Sequence, residues 1–429
     1  MAIDQSHGEA QQKMFDSPEA QQKFAERLGR TEAAIALQEP DQIPIMPCIV
    51  SIAQRYNGSC YEDLFYNYER AGEAALKFYA EYQPDAHNFS GFTSGKANEL
   101  AGSSMIDWPG RPGSIVDRFS SHQVIEHEYL LPEEYPELIN NFDGFMLRKY
   151  IPRAFPKLAA LSKVSCNPAV VLNTGFLRNF YDPEVLKAYE LLGEIAKYDA
   201  EAAAATAKYQ AKLTAMGFPG AMSGICEAPF DILGDYFRGT MGMLNDQIEY
   251  EDEIEQVCEM FANQQIAALQ RFRNLDIPVK RVFFPLHKGM DGFMSPRQYE
   301  KLYWKPLKKI IMALIEMGVT PYIYTEGRYN TRLEQLTDVP KGKVLYHFEN
   351  VDMAEAKRIV GGVACISGNL PIQLLEFGKK EQVVDYCKYL IDTCAPGGGY
   401  IFDTDGSIEN AKRENLDAMF DTLRTYGKK

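Results

Sequence analysis

Three polar side chains that could bind a metal or carry a proton fall in one stretch of the sequence. His287, Glu326 and His347 each stand at or near the end of a strand-like run, in VKRVFFPL, VTPYIYTEG and KVLYHFE. Histidine nitrogens and carboxylate oxygens are usual ligands of catalytic zinc, which needs three protein ligands and one open position. A single histidine at a strand end is more often a hydrogen-bonded structural group, so the prediction rests on the three residues together.

Other polar residues follow predicted strand ends nearby. Asp291 comes shortly after His287 in VFFPLHKGMD, Asn369 ends CISGN, and Asp403 and Asp405 lie in FDTDG. Because DTDG also has good turn chemistry, at least one of these two aspartates is predicted to form a turn.

The elements that carry these residues alternate between strand and helix. A helical segment at 296–317 separates the first two strand runs, and from residue 279 onward the pattern is βαβαβαβα with short loops. Earlier strands near residues 43, 86 and 219 bring the number of strand candidates to about eight. This pattern predicts an α/β fold, a (β/α)8 barrel, in which polar strand ends converge on one mouth. No GxGxxG follows the first strand, which disfavours dinucleotide binding.

The chain is predicted to divide into an extension and a barrel. Residues 1–40 have a polar, helical pattern, and the barrel is predicted to span residues 41–429. The segment 92–150 is irregular, and its WPGRPGS loop at 108–114 is too long for a simple connector. It is predicted to be an insertion over one end of the fold, either purely structural or a substrate lid. AVVLNT at 169–174 is one further strand candidate.

Composition excludes several classes of protein. Lys+Arg 45 against Asp+Glu 59 gives a net charge of −14, which argues against a nucleic-acid-binding protein because such proteins need a basic face. No apolar run approaches the roughly 20 residues of a membrane span, and the first residues lack the apolar core of a signal peptide. We therefore expect a cytoplasmic protein. The eight cysteines form no CxxC pair and are expected to be reduced thiols.

The last part of the chain resembles a known family. ISGNLPIQLLEFGKKEQVVDYCKYLIDTCAPGGGYIF at 366–402, followed by ENLDAM at 414–419, is similar to the closing βαβα run of the uroporphyrinogen decarboxylase superfamily. The resemblance covers most of the chain from about residue 40 and implies a (β/α)8 barrel. That superfamily also contains zinc-dependent, corrinoid-linked methyltransferases.

The decarboxylase itself differs from this chain at two motifs. Its arginine-containing segment, similar to MRQAGR, is absent, and IPIMPCIVSIAQRYNG stands there. Its catalytic aspartate follows a Phe-Ser pair, whereas here Phe89 and Ser90 are followed by Gly91. The resemblance therefore favours the methyltransferase branch, and a uroporphyrinogen decarboxylase-like protein is the alternative.

Within that branch, the resemblance implies oxygen and nitrogen ligands for zinc. The thiol methyltransferases bind zinc through His-x-Cys and a later Cys, where this chain has Glu326 in place of the first cysteine and Asp405 near the second. Ligands of this kind make the metal a harder Lewis acid, which suits an oxygen substrate. The pattern is similar to that of ether-cleaving O-demethylase components.

One branch of those components has a Glu, Glu, His motif whose last two members are separated by twenty residues. Glu326 and His347 have that separation, but the first Glu would fall at Ile311. His287 is therefore the first choice for the third zinc ligand, and Asp405 is the second.

The implied activity is an O-demethylating methyl transfer of anaerobic one-carbon metabolism. A phenyl methyl ether would give its methyl group to the Co(I) corrinoid (cobalamin) of a partner protein, with zinc polarising the ether oxygen. The residues predicted to bind substrate are Asp291, Phe230, Phe293, Tyr324 and Asn369, with Tyr236 as a further aromatic. The alternatives are a methylamine, betaine or thiol donor, and a corrinoid- or porphyrin-binding module without chemistry. A homodimer is also compatible with the resemblance.

Overall fold

Parallel strands form most of the sheet structure in the computed structural model, which describes residues 14–428 except for the side chain of Val170. The third to eighth strands lie side by side in sequence order, and each is parallel to the next. The first two strands form a separate antiparallel hairpin. The strands are Ile106–Asp107 (β1), Gln123–Val124 (β2), Gly224–Ile225 (β3), Arg281–Leu286 (β4), Thr320–Arg328 (β5), Leu345–Asn350 (β6), Cys365–Ser367 (β7) and Tyr400–Ile401 (β8).

Two extended segments close the six-stranded sheet into a barrel. Ile45 forms a parallel bridge to Phe402, just after β8, and His87 forms one to Gly220, just before β3. The two segments meet where the backbone N–H of Asp85 donates to the carbonyl of Ile45 at 2.8 Å. With six strands and two closing segments, the structure confirms the predicted (β/α)8 barrel.

The helices surround this barrel. Those of ten or more residues are Pro18–Ile35, Tyr68–Tyr82, Pro183–Ala215, Gly239–Glu249, Glu251–Leu269, Lys305–Glu316, Lys380–Cys394 and Arg413–Tyr426. The shorter α-helices are Ile52–Tyr56, Asp63–Tyr66, Gly95–Ala101, Tyr135–Asn140, Phe142–Phe145, Ile151–Ala154, Pro229–Leu233, Pro296–Gln298, Leu333–Leu336, Met353–Ile359 and Ile372–Glu376. Within residues 14–428, none of the helices is long and apolar enough to cross a membrane.

The first helix closes the N-terminal end of the barrel. The side chain of Ser17 accepts a hydrogen bond from the N–H of Ala20 at 3.1 Å, and Pro18 suits the first turn. At the C-terminal end of this helix, Ala34 and Ile35 pack into a buried cluster of side chains that point into the barrel. The other members of the cluster are Met46, Ala86, Ala221, Tyr322, Leu345, Cys365 and Ile401. Residues 1–13 of the predicted extension lie outside the described residues, and the boundary at residue 40 stays a prediction.

The connection that leads to β3 departs most from a regular β/α unit. It contains the β1–β2 hairpin, a series of short helical turns and the 33-residue helix Pro183–Ala215. The irregular insertion predicted at 92–150 therefore belongs to a longer connection, which ends with that helix.

The strand predicted at 169–174 is wrong. Helical turns at Pro168–Val170 and Thr174–Tyr181 occupy this region. The side chains of Asn167 and Asn173 accept hydrogen bonds from backbone N–H groups two residues later, at 3.0 and 2.8 Å. These local bonds satisfy the backbone without a neighbouring strand.

Candidate active site

Polar side chains from several strands meet at the C-terminal end of the barrel. His287 follows β4, Glu326 lies in β5, Glu349 lies in β6 and Asp405 follows β8. Barrel enzymes carry their active sites on this face. We call the region around these four residues the mouth.

Alternation along the strands explains why these side chains converge. Successive residues of a strand point to opposite sides, so Tyr322 and Glu326 share the inner side of β5. Leu345, His347 and Glu349 share the inner side of β6 in the same way. Tyr322 and Leu345 belong to the buried cluster at the N-terminal end of the barrel. The residues four positions later, Glu326 and Glu349, therefore reach the mouth.

His287 is held by two aspartates of the preceding β/α unit. Its Nδ1 lies 2.5 Å from Oδ2 of Asp235, and its backbone N–H donates to Oδ2 of Asp231 at 2.9 Å. Asp231 is fully buried and also accepts a 2.5 Å hydrogen bond from the Tyr303 hydroxyl. These contacts fix the ring so that Nε2 lies 3.7 Å from Oε1 of Glu326. His287 and Glu326 therefore form a pair at the mouth.

The surroundings of this pair favour protons on both groups. Burial opposes the imidazolium of His287, but the hydrogen bond to Asp235 and the neighbouring carboxylates outweigh it and raise the pKa of His287 to about 9. Burial raises the pKa of Glu326 to about 7, an effect that His287 opposes and Glu349 reinforces. Near neutral pH the pair therefore combines an imidazolium with a carboxyl group close to its midpoint.

The other oxygen of Asp235 connects the site to the long insertion. It hydrogen-bonds the buried ammonium group of Lys288, whose Nζ also lies 3.2 Å from Oε1 of Glu126. Glu126 accepts hydrogen bonds from the N–H and hydroxyl of Thr240 at 2.8 and 2.7 Å. A residue of the insertion thus reaches the groups that hold His287.

His347 lies below the mouth and faces other groups. Its Nε2 donates to the carbonyl of Thr404 at 2.7 Å, and its Nδ1 lies 3.5 Å from Oδ2 of Asp403. The ring stacks on Tyr324 with centroids 4.4 Å apart. Burial lowers the pKa of His347 to about 4, so the ring is neutral near pH 7. Both ring nitrogens therefore face protein atoms rather than the His287–Glu326 pair.

The donor set does not match a three-ligand zinc centre in this arrangement. Of the predicted ligands, His287 and Glu326 form an ion pair, whereas His347 is engaged by Thr404. Within the part of the chain that the structure describes, no group of three His, Cys, Asp or Glu side chains could hold a metal ion. We therefore derive no catalytic step through zinc.

Asp405, the second choice for the third ligand, does reach the mouth. Its Oδ1 accepts a hydrogen bond from the N–H of Ile372 at 2.9 Å. Burial, together with Glu349, raises the pKa of Asp405 to about 6. The proton of Asp405 is therefore held more tightly because the side chain is buried beside Glu349.

Two of the residues predicted to bind substrate, Asp291 and Asn369, are hydrogen-bonded within the protein. Asp291 accepts hydrogen bonds from the hydroxyl and N–H of Thr331 at 2.6 and 3.2 Å, and so joins the loops after β4 and β5. The amide of Asn369 donates to the carbonyls of Glu349 and Val351 at 3.1 and 2.9 Å. These contacts satisfy the side chains from within the protein.

The predicted aromatic residues differ in their exposure. Phe230 is fully buried against Tyr303 and Phe293, so its ring belongs to the core and is closed to a substrate. Phe293 and Tyr324 are partly buried. The Tyr324 hydroxyl donates to the carbonyl of Asp405 at 2.9 Å, which fixes its ring beside the mouth.

Sequence reasoning missed the residues that hold His287. Asp231 and Asp235 lie four positions apart in FDILGD, a spacing that places both carboxylates on one side of a helix. The chain is helical from Pro229 to Arg238, with a π-helical turn from Gly234. That spacing was a usable signal, whereas the approach of Glu126 depends on contacts far apart in the sequence.

The comparison with protein families settles the affiliation. The family model described as uroporphyrinogen decarboxylase (URO-D) matches residues 179–426, more than half of the chain. The chain belongs to the uroporphyrinogen decarboxylase family. Its match includes β3 to β8 and every mouth residue named above.

A solved structure supports the same fold over a longer range. The chain is similar to a methyltransferase from Methanosarcina mazei, with 14% sequence identity and a TM-score of 0.59. The likeness covers 93% of this chain and 98% of that one. At this identity the likeness concerns the fold. A comparison with curated protein sequences finds no match.

Proposed function

We propose that this protein is a methyltransferase that moves a methyl group from a phenyl methyl ether to the Co(I) corrinoid of a partner protein. The observation that carries the proposal is the His287–Glu326 pair, in which an imidazolium lies beside a carboxyl group with a raised pKa. Ether cleavage leaves a phenolate, and a site that stabilises this charge lowers the barrier to methyl transfer. The structural neighbour, described as a methyltransferase, supports the same class of reaction.

The chemistry divides between the acceptor and this chain. The corrinoid supplies the electron pair that forms the new bond to the methyl carbon. As the carbon–oxygen bond breaks, its electron pair remains on oxygen, and Glu326 donates a proton there. The charge of His287 stabilises the oxyanion before the proton arrives.

Asp235 and Asp231 act on this step through His287. The Asp235 carboxylate holds Nδ1 at 2.5 Å and favours the charged ring. Asp231 holds the backbone of His287 and Lys288, each at 2.9 Å. Both are positioning residues, because they contact His287 and not the substrate. Their role is to keep Nε2 directed at Glu326.

The residue in place of the decarboxylase's catalytic aspartate argues against decarboxylation of uroporphyrinogen. Gly91 follows Phe89 and Ser90, with φ at +118°. A Cβ atom placed there would lie 2.5 Å from Cγ2 of Thr206. This backbone therefore does not accommodate an aspartate without rearrangement.

Zinc binding at the mouth stays a prediction, separate from the proposed methyl transfer. A third ligand would require His347 to leave the carbonyl of Thr404, or Asp405 to bind through Oδ2 while its Oδ1 keeps the N–H of Ile372. Metal analysis of the purified protein by mass spectrometry tests this prediction. One zinc per chain that is lost in Glu326→Ala and His287→Ala would support it, and metal-free protein with full activity would contradict it.

The proposed reaction is tested with 1,2-dimethoxybenzene (veratrol) and cob(I)alamin, the reduced free corrinoid. We expect release of the corresponding phenol only when protein, ether and reduced acceptor are all present. Uroporphyrinogen serves as the competing substrate, and we expect no release of carbon dioxide from it. Decarboxylation without any phenol release would contradict the proposal.

A further inference from the structure

We propose that the barrel carries a second ligand site, which binds an uncharged planar molecule with a hydrogen-bond donor next to an acceptor. The site is a cavity of about 570 Å³ between β3 and the closing segment that contains His87. We call it the side cavity. Phe24 of the first helix and Gln210 of the helix Pro183–Ala215 also line it. Among the described residues, its lining includes none of the four mouth residues.

The side cavity opens because the closing segment turns away from β3 after one contact. His87 exchanges two backbone hydrogen bonds of 2.9 Å with Pro219 and Ala221, just before β3. Beyond this contact, the side-chain amide of Gln210 donates to the carbonyl of Phe89 at 3.3 Å. A helix, rather than β3, therefore holds the continuation of the segment, and the space between the segment and β3 is the side cavity.

Two buried polar side chains of the closing segment line the side cavity. His87 is 7% exposed and Asn88 is 9% exposed. Within residues 14–428, the Nδ1 of His87 and the Oδ1 of Asn88 have no hydrogen-bond partner. A buried polar atom without a partner costs folding free energy, so such atoms normally have one. Two of them on consecutive residues of one cavity wall indicate that a bound molecule supplies the partners.

The imidazole of His87 is placed to contact a molecule in the side cavity. Its ring edge faces Gly220, another lining residue, where a Cβ atom would lie 3.7 Å from both Cε1 and Nε2 of the ring. Burial lowers the pKa of His87 to about 4, so the ring is neutral near pH 7. A neutral imidazole offers one donor and one acceptor. This side chain therefore suits an uncharged ligand.

The walls of the side cavity also favour an uncharged and largely apolar ligand. Among the described residues, no lysine, arginine, aspartate or glutamate lines it. Ile225 lies in β3 and is nevertheless 57% exposed. A largely apolar cavity of this volume with a few polar groups is typical of a small-molecule site. The apolar residues of the wall include Phe24, Phe89, Met222, Ile225, Ile277 and Pro278.

The polar groups of the wall define the edge that the ligand must present. The carboxamide of Asn88 has one oxygen that accepts and one nitrogen that donates, so it complements a second carboxamide or the edge of an adenine ring. Phe24 and Phe89 suit a flat ring. A carboxylate is disfavoured, because it would meet the oxygen of Asn88 without a cation in the wall.

Titration calorimetry tests the site with three arenes that differ in one group. Benzamide carries the donor and the acceptor, N,N-dimethylbenzamide lacks the donor, and benzoate carries a charge. We expect one benzamide per chain, with the other two bound about tenfold or more weakly. Adenosine presents the same edge on a purine, so the tighter of adenosine and benzamide identifies the ligand as a nucleobase or an aromatic amide. Equal affinities for the three arenes, or no binding of benzamide and adenosine, would overturn the inference.

Variants assign the binding to the side cavity rather than to the mouth. Asn88→Leu removes the carboxamide at nearly constant volume, and the affinity for the tighter ligand should fall by about tenfold or more. Asn245→Leu is the matched control, because Asn245 is exposed on the helix Gly239–Glu249. Both this variant and Glu326→Gln should bind the ligand as the unmodified protein does. Binding lost in Glu326→Gln and kept in Asn88→Leu would place the ligand at the mouth and contradict the inference.

The stability of the free protein separates ligand binding from a structural role. Because the Oδ1 of Asn88 has no partner, Asn88→Leu should not lower the melting temperature in the absence of ligand. His87→Phe keeps a flat ring and is a second variant with the same expected loss of affinity. A lower melting temperature with unchanged affinity in both variants would make the two residues structural and overturn the inference. These measurements involve no methyl transfer, so this inference and the proposed function can fail independently.

Discussion

The chemistry of the site depends on two side chains that differ in how their charges are controlled. His287 has an ionised partner in Asp235, whereas Glu326 is influenced mainly by burial and by nearby charge. A protonated carboxyl group next to an imidazolium is a suitable proton donor for a phenolate leaving group near neutral pH. The two residues therefore have separate, measurable roles.

The first prediction concerns the proton donor. In Glu326→Gln, we expect the maximal rate of methyl transfer to fall by about 100-fold, because glutamine donates a hydrogen bond but no proton. In the unmodified protein, the rate should decrease as pH rises through about 7, where Glu326 loses its proton. That decrease should be absent in the variant. An unchanged pH profile in Glu326→Gln would assign the proton to another group.

The second prediction concerns the partner of His287. In Asp235→Asn, the pKa of His287 should fall from about 9, because the hydrogen bond to an ionised carboxylate is the largest effect that raises it. The pKa can be followed by NMR of the ring protons, with His122 as an internal comparison. A value that remains near 9 in the variant would show that Asp235 does not control the ring.

For individual residues, the sequence predicted the positions of some side chains correctly and the contacts of others wrongly. The strand pattern placed His287 and Glu326 at neighbouring strand ends, and the structure brings them to 3.7 Å. The same pattern grouped His347 with them. His347 lies two residues before Glu349 on the inner side of β6, so its side chain lies one layer deeper inside the barrel than the mouth. Spacing along a strand gives the direction of a side chain, but its depth depends on where the strand ends.

The elements around the site are joined by buried polar contacts. Asp403, just after β8, accepts hydrogen bonds at 2.8 Å from the N–H groups of Cys48 and Thr404, and its other oxygen faces His347. It therefore connects the segment that contains Ile45 with β8 and β6. Burial raises its pKa well above the usual range, and the two backbone N–H groups oppose that shift.

The third prediction tests this junction. Asp403→Asn keeps an oxygen for the two N–H groups and an amide donor towards His347, so its free energy of unfolding should change little. Asp403→Val should lose about 1–3 kcal/mol for each N–H group left unpaired. Urea denaturation of the two variants measures the difference. Equal losses in both would mean that packing, rather than hydrogen bonding, dominates at this position.

The sequence predicted the regular elements better than the long connection. From residue 279 onward, strands and helices alternate in short units whose periodicity is visible locally. In the connection before β3, polar side chains satisfy the backbone, as at Asn167 and Asn173, and composition alone mimicked a strand. The contact of Glu126 with Thr240 and Lys288 spans more than 100 residues, and no local pattern encodes it.

The barrel as a whole is closed at one end and acidic at the other. Ile35 is buried with inward residues of β5 to β8, while Arg27 donates to the carbonyl of Gly217 at 2.6 Å and stacks over Phe218. The first helix thus covers the N-terminal end, and the mouth remains at the opposite end. The net charge of −14 belongs to the whole chain, and Glu326, Glu349 and Asp405 place three carboxyl groups at the mouth.

The fourth prediction tests the closure of the N-terminal end. Ile35→Ala should lower the free energy of unfolding by about 2–5 kcal/mol, because the side chain leaves a cavity inside the barrel. Gln22→Ala on the same helix is the control, since Gln22 is exposed and, among residues 14–428, its side chain bonds only to Glu26. Its change should be within about 0.5 kcal/mol. Similar small changes in both variants would mean that the helix contributes little to barrel stability.

The central claim, methyl transfer from an ether oxygen to a corrinoid, is tested most directly with a donor labelled with ¹³C in its methoxy groups. Labelled 1,2-dimethoxybenzene is incubated with cob(I)alamin and the protein, and the label is followed by NMR. The account predicts one labelled methyl group on the corrinoid for each phenol formed, and about a 100-fold slower transfer in Glu326→Gln. Label that stays in the ether, although calorimetry shows the donor bound, would contradict it.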